Sequence, residues 1–124
     1  MGVQSESVLS ATWDSGELLL NDWRTMMSKF GLLATLQARP GKETAVEAFL
    51  KSAVPLVQAE AGTTTWYAFK IASSTFGIFD TFEDEQGRTA HIGGEVAKAL
   101  FARAQELFVT SPDIKAVDIL AEKL

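Results

Sequence analysis

The order of structural patterns along residues 31–124 limits the possible folds more than any other feature of the chain. Strand-like and helix-like segments follow one another as strand, helix, strand, strand, helix, strand. Strands are indicated by β-branched and aromatic runs, and helices by apolar residues that recur every three or four positions. Successive elements of a chain usually lie side by side in space. The order therefore predicts one α+β domain with an antiparallel sheet of four strands.

The first strand and first helix have clear limits in the sequence. The strand begins at Gly31, and a turn at Pro40 and Gly41 ends it, because proline fixes φ and glycine permits the reversal. Apolar residues at helical spacing predict a helix over residues 43–60. Pro55 falls inside this helix, where it removes a backbone hydrogen bond. We therefore expect a kink.

Two aromatic and β-branched runs, residues 63–71 and 75–82, are joined by a short polar link and predict an antiparallel hairpin. Alternate residues of a strand point to opposite faces of the sheet. In the second run, Asp80 shares its face with Phe76, Ile78 and Phe82. The pattern therefore directs a carboxylate into an otherwise apolar face.

The second helical region contains the only histidine of the chain, His91, which we expect to open that helix. Gly93 and Gly94 follow, and each weakens a helix by about 1 kcal/mol relative to alanine. The pattern predicts a short helix, a break, and a longer helix from Glu95. A last strand is predicted over residues 114–122.

Large apolar side chains occur on both faces of the predicted strands. Trp66 alternates with Tyr67, and Ile78 alternates with Phe79. A sheet covered by helices on one side only should show polar residues on its other face. An apolar second face indicates that another copy of the chain covers it, so we predict an isologous homodimer.

Composition excludes several classes of protein. The formal charge is −5 and no Lys/Arg cluster occurs, so nucleic acid is not expected as a partner. The chain has no cysteine, which excludes thiol nucleophiles, disulfides and cysteine metal sites. No apolar run is long enough for a membrane span and no secretory signal pattern is present. We therefore expect no membrane partner and a cytoplasmic location.

Residues 1–27 differ in character from residues 28–124, which form the predicted domain. The segment begins with polar, serine-rich sequence and continues with Trp13, Trp23 and a short leucine patch. Its later part has an amphipathic pattern. We interpret it as an N-terminal extension that is either weakly ordered or docks onto the domain or a partner.

Several segments together resemble the antibiotic biosynthesis monooxygenase family, over residues 31–124. They are ARPGKE, the hairpin TTTWYAFKIASSTFGIFDTF, the segment DEQGRTAHIGGEV and the closing IKAVDILAEKL. The resemblance implies a ferredoxin-like βαββαβ domain that forms a dimeric α+β barrel. Characterised branches of the family include cofactor-independent oxygenation of quinol-like or anthrone-like aromatics, haem degradation and isomerisation.

The family pattern carries over to specific positions. In the family, an acidic and an aromatic residue usually end the third strand, and a histidine follows them. Asp80, Phe82 and His91 match these positions. Aspartate replaces the usual glutamate, and phenylalanine replaces the usual tryptophan. Haem-degrading relatives need an asparagine on the first strand and a histidine ligand where this chain has Phe101. The resemblance therefore disfavours haem degradation and implies no cofactor.

The candidate catalytic residues are His91 and Asp80. The intrinsic pKa of histidine suits a general base, and Asp80 would orient the imidazole or act as the base itself. Candidate pocket residues are Trp66, Phe79, Phe82 and Phe101 as flat walls for an aromatic ligand, and Tyr67 as a hydrogen-bond donor. Each of these residues also has a purely structural interpretation, as a core or capping group.

Three functions follow from these observations. The leading hypothesis is a cofactor-independent monooxygenase that acts on a small quinol-like or anthrone-like aromatic molecule. The second is a non-catalytic binding or stress-response protein that holds a small apolar molecule. The third is a dimeric structural protein that uses residues 1–27 to contact a partner.

Overall fold

The computed structural model describes residues 29–123, so the predicted N-terminal extension over residues 1–27 lies outside the described residues. The strands are β1 (Phe30–Gln37), β2 (Thr63–Ala72), β3 (Thr75–Phe82) and β4 (Asp113–Asp118). The helices are α1 (Glu43–Ser52), α2 (Val54–Gln58), α3 (Glu85–Ile92), α4 (Glu95–Ala102) and α5 (Ala104–Leu107). No helix in this described range is long and apolar enough to span a membrane.

The four strands form one antiparallel sheet in the order β2-β3-β1-β4. The register places Asp80 of β3 opposite Leu32 of β1 and opposite Trp66 of β2. The predicted fold class, antiparallel sheet and hairpin are confirmed. Asp80 lies on a central strand, where both neighbours fix its position by backbone hydrogen bonds.

One face of the sheet packs against the helices and forms the core. Leu36, Val46 and Leu107 are fully buried there, and Phe76 is 2% exposed. Asp80 points to this same face and is also 2% exposed. The direction predicted for Asp80 from the strand period is therefore confirmed.

The other face of the sheet carries apolar side chains that nothing in residues 29–123 covers. Leu33, Phe69 and Tyr67 are 37%, 38% and 60% exposed. Gly77 allows the Phe69 ring to lie across β3, because a Cβ at this position would overlap the ring. The alternation of small and aromatic residues thus gives this open face a flat apolar surface.

The structure corrects several predicted element limits. The helix predicted over residues 43–60 is divided at Ala53, so that Pro55 lies in the first turn of α2, where a backbone N–H has no helical partner to lose. The predicted break at Gly93 and Gly94 is confirmed, but α4 is no longer than α3 because the helix is interrupted again at Arg103.

Two further corrections concern His91 and the last strand. The prediction that His91 opens a helix is wrong, because it lies in the last turn of α3. The last strand ends at Asp118 rather than at residue 122, because Asp118 pairs with Phe30, where β1 begins.

Candidate functional site

His91 lies between two carboxylates that come from different parts of the fold. Its Nε2 atom is 2.9 Å from Oδ2 of Asp80 on β3, and its Nδ1 atom is 2.5 Å from Oε1 of Glu60, which follows α2. Exposure increases along this line, from 2% for the Asp80 side chain to 9% for His91 and 19% for Glu60. The three side chains form a row from the core toward the surface.

Close backbone contacts bring Glu60 to the imidazole. A Cβ at Gly62 would lie 2.9 Å from the Gly87 Cα atom, so these two glycines allow the segment before β2 to pack directly on α3. The Thr63 hydroxyl donates a hydrogen bond of 2.7 Å to Oε1 of Glu60. The Thr63 hydroxyl therefore holds the Glu60 carboxylate in position next to His91.

The environment of His91 shifts its protonation equilibrium. Burial alone would lower the pKa of His91, but hydrogen bonding to Asp80 and Glu60, together with the charges of both carboxylates, outweighs burial and raises the pKa above its ordinary value. The site therefore favours the imidazolium form, in which both ring nitrogens carry a proton.

A cavity of about 50 Å³ lies beside this row, between the sheet and the helices α3 and α4. Its walls include Asp80, His91, Trp66 and Phe101, and the remaining walls are apolar. Oδ1 of Asp80 and Nε1 of Trp66 are buried and have no hydrogen-bond partner within the described part of the chain. Since buried polar atoms are nearly always paired, each of these two atoms can take a polar partner.

A second depression lies on the other side of His91. This groove has a volume of about 320 Å³, and its lining includes Glu60, His91, Gly94 and Glu95. His91 thus forms part of the wall between the inner cavity and the outer groove.

The structure places the predicted pocket residues at different sites. Trp66 and Phe101 line the cavity with Asp80 and His91. Phe82 is fully buried, and its ring centroid is 5.2 Å from that of His91. Tyr67 and Phe79 lie on the open face, away from this cavity, because the two-residue strand period separates them from Trp66 and Asp80. A ligand-binding role for the five aromatic residues stays a prediction.

Glu60 is the residue that sequence reasoning missed. It is 31 positions from His91, at the end of a helix where an exposed acidic residue is common, so its own sequence surroundings give no signal. Within residues 29–123, no group of three or more His, Cys, Asp or Glu side chains is arranged to hold a metal ion.

Solved structures of other proteins share this fold. A Nitrosomonas europaea protein of unknown function, NE2512, is 51% identical, with a TM-score of 0.77 over 79% of this chain and 95% of that one. PA3566 from Pseudomonas aeruginosa is 27% identical, with a TM-score of 0.65 over 77% of this chain and 98% of that one.

A more distant similarity bears on the fold alone. A Caulobacter crescentus protein described as a candidate antibiotic biosynthesis monooxygenase is 17% identical, with a TM-score of 0.66 over 82% of this chain and 99% of that one. Neither a protein-family model nor a curated protein sequence matches this chain.

Proposed function

We propose a function from the premise that the chain belongs to the same family as the Nitrosomonas europaea protein NE2512 and has the α+β fold of the antibiotic biosynthesis monooxygenases. In this proposal the chain binds a small hydroxylated aromatic molecule, quinol-like or anthrone-like, and removes a proton from it as the first step of a cofactor-independent oxygenation. The observation that carries the proposal is Oδ1 of Asp80, a buried oxygen of a carboxylate that lines the cavity, which has no hydrogen-bond partner among residues 29–123.

The two unpaired atoms of the cavity select the ligand chemistry. Nε1 of Trp66 can only donate a hydrogen bond, and a carboxylate oxygen of Asp80 can only accept one. A phenolic or enolic hydroxyl serves both, since its oxygen accepts from Trp66 while its proton is donated to Asp80. Leaving either buried atom unpaired costs about 1–3 kcal/mol, so a hydroxyl in this place gains affinity over an apolar group of the same size.

Asp80 is then the group that takes the proton, and His91 supports it. The other oxygen of Asp80 faces Nε2 of His91 at 2.9 Å, so only Oδ1 is available to the ligand. Because the pKa of His91 is raised, its imidazolium offsets the negative charge that deprotonation leaves on the ligand. This assigns the base to Asp80 and charge stabilisation to His91.

The atoms and electrons of the oxygenation that follows balance with the ligand and dioxygen as the reactants, without a cofactor. The deprotonated ligand is electron-rich and transfers electrons to dioxygen, which bonds to a ligand carbon as a peroxide. Asp80 returns its proton to the peroxide, whose O–O bond then breaks as the oxygenated carbon loses its own hydrogen. The ligand thus loses its hydroxyl hydrogen and one carbon-bound hydrogen, the carbon gains one oxygen atom as a carbonyl, and the other oxygen atom leaves as water with the two hydrogens.

The cavity must open to admit such a ligand. Its volume of about 50 Å³ holds a water-sized group, whereas ligand sites commonly measure roughly 300–1,000 Å³. Ile92 and Phe101 form its outer wall and are 52% and 51% exposed. Ile92 directly precedes the break at Gly93 and Gly94, where glycine restricts the backbone least, and Phe101 lies near the end of α4. Ligand entry therefore displaces the ends of α3 and α4.

The small volume also favours a second candidate, a protein that binds a small apolar molecule without transforming it. The cavity walls beyond Asp80, His91 and Trp66 are apolar, which suits such a ligand. Turnover separates the two candidates, because the binding protein consumes no dioxygen.

A homodimer is part of the proposal. The exposed apolar side chains Leu33, Phe69 and Tyr67 on the open face support an isologous contact between two sheets. Sedimentation velocity is expected to give a dimer, and a monomer at tens of micromolar protein would contradict it. A cytoplasmic location also remains part of the proposal.

The test of activity is dioxygen consumption with a panel of anthrones and dihydroxynaphthalenes. We expect protein-dependent consumption with at least one compound, and loss of most of it in Asp80→Asn. Asp118→Asn is the matched control, because Asp118 is an exposed aspartate at the end of β4, and it should retain activity. No consumption across the panel, together with saturable binding of one compound, would favour the binding protein.

A further inference from the structure

Glu60 gives the buried site a connection to solvent. We infer that Glu60 is a positioning residue of the Asp80–His91 site, and that His91 exchanges its Nδ1 proton with solvent through Glu60 and the outer groove rather than through the inner cavity. The inference rests on the proposed function only for the role of this exchange in the reaction; the exchange itself does not require a ligand.

The geometry separates the two sides of the ring. Nε2 points to Asp80, which is 2% exposed, and Nδ1 points to Glu60, which is 19% exposed. Both the cavity and the groove include His91 in their linings, but only the groove includes Glu60. The Nδ1 side of the ring, where Glu60 is in contact, is therefore the side nearer to solvent.

Glu60 is held where it can serve this role. Oε1 accepts a hydrogen bond of 2.7 Å from the Thr63 hydroxyl and contacts Nδ1 of His91 at 2.5 Å. A Cβ at Gly94 would lie 3.1 Å from Oε2, so the glycine leaves room for the second carboxylate oxygen. A carboxylate whose Oε1 atom is held by two neighbours loses little conformational freedom when it accepts a proton.

The exchange conserves protons at each step. Nδ1 of the imidazolium gives its proton to Oε1 of Glu60, and Glu60 gives that proton to a water molecule in the groove. The reverse sequence restores the imidazolium. The Nε2 proton stays between His91 and Asp80 throughout, so the contact that orients Asp80 is not broken.

This route matters when a ligand occupies the cavity. A bound ligand closes the cavity side of the site, but the groove stays open, so the protonation of His91 continues to follow the pH of the solvent. Within residues 29–123, few other charged groups lie near the ring. Glu95 of α4 lines the groove but lies 3.6 Å from Lys98, and Arg88 of α3 contacts Glu85. Glu60 is thus the carboxylate on the solvent side that reaches the ring.

The single histidine of the chain makes the inference testable without a ligand. The full chain labelled with ¹⁵N-histidine gives ring signals from His91 alone, and their solvent-exchange broadening gives the rate at which the Nδ1 proton exchanges. We expect Glu60→Ala to slow this exchange by at least about 100-fold, the low end of what a positioned acid or base contributes. Glu95→Ala, which removes a carboxylate from the same groove, should not change the rate.

Rescue separates proton transfer from a purely structural role. Acetate at high concentration should restore fast exchange in Glu60→Ala, because the groove of about 320 Å³ admits a small carboxylate next to Nδ1. Glu60→Gln keeps the shape of the side chain, so it should exchange slowly and should not be rescued. It also serves as the informative variant if Glu60→Ala does not fold.

Two results would overturn the inference: exchange in both Glu60 variants as fast as in the wild type, or slow exchange in Glu60→Ala that acetate leaves unchanged. These outcomes are independent of the proposed function. Acetate-rescued exchange combined with no ligand binding or turnover would retain the Glu60 route and reject the proposed function. The opposite combination would reject the Glu60 route and leave Asp80 as the proposed base.

Discussion

Replacing His91 with alanine should destabilise the protein strongly, because it leaves Asp80 buried without its partner. Asp80 is 2% exposed, and its only charge contact described is with Nε2 of His91 at 2.9 Å. Removing one member of a buried ion pair typically costs about 3–5 kcal/mol. With a urea slope near 1.5 kcal/mol per molar, the unfolding midpoint should fall by about 2–3 M. Urea titration at fixed protein concentration measures this, since a dimer makes the midpoint depend on concentration.

A double variant tests the reason for the loss. If the cost arises from the unpaired charge, Asp80→Asn/His91→Ala should be less destabilised than the sum of the two single variants, with a coupling of about 1–3 kcal/mol. Lys98→Ala provides a control, because its contact with Glu95 is between exposed side chains and should contribute less than about 1 kcal/mol. Additive single effects, or a His91→Ala cost as small as that of Lys98→Ala, would refute the reasoning.

Stability and the protonation of His91 also depend on pH and on the space at Gly77 and Gly62. The pKa of His91 is raised in the fold above the value of 6.5 that it has in the unfolded chain, so protonation of His91 stabilises the protein. This stabilisation is complete below pH 6.5 and is lost as pH rises through the folded pKa. The difference between the urea midpoints of the wild type and His91→Gln should therefore decrease as pH rises, and a difference that does not change with pH would contradict this. Gly77→Ala should lower stability by about 1–3 kcal/mol, because its Cβ overlaps the Phe69 ring, and a thermal midpoint equal to that of the wild type would contradict this. Gly62→Ala should lower the pKa of His91. The new Cβ would lie 2.9 Å from the Gly87 Cα atom and would move Glu60 away from the imidazole. NMR titration of His91 measures this, and a titration curve identical to that of the wild type would contradict it.

The parts of the fold that sequence could predict are those with local causes. The hairpin follows from two strand-like runs and a polar link, and its second strand, Thr75–Phe82, has the predicted limits. The set of residues that share a face with Asp80 follows from the two-residue period alone. Gly93 and Gly94 break the helix because of their own backbone entropy. None of these features depends on what the chain packs against.

The site itself depends on contacts between distant segments, which local patterns do not specify. Glu60 reaches His91 because Gly62 packs on Gly87, a contact between α3 and the segment before β2. Sequence does not decide which face of β2 meets the cavity, because Trp66 and Tyr67 are adjacent and both large and aromatic. The packing of helices on one side of the sheet decides this, and it separates Trp66 from Tyr67.

The central claim is that Asp80, His91 and Trp66 together bind a hydroxylated aromatic ligand. The most direct measurement is an NMR titration of ¹⁵N-histidine- and ¹⁵N-tryptophan-labelled protein with the panel of anthrones and dihydroxynaphthalenes, with the Trp66 signal identified in Trp66→Phe. We predict that at least one compound saturably shifts both the His91 ring signals and the Trp66 indole signal, and that Asp80→Asn abolishes both shifts. Binding that leaves both signals unchanged, or that persists fully in Asp80→Asn, would contradict the claim.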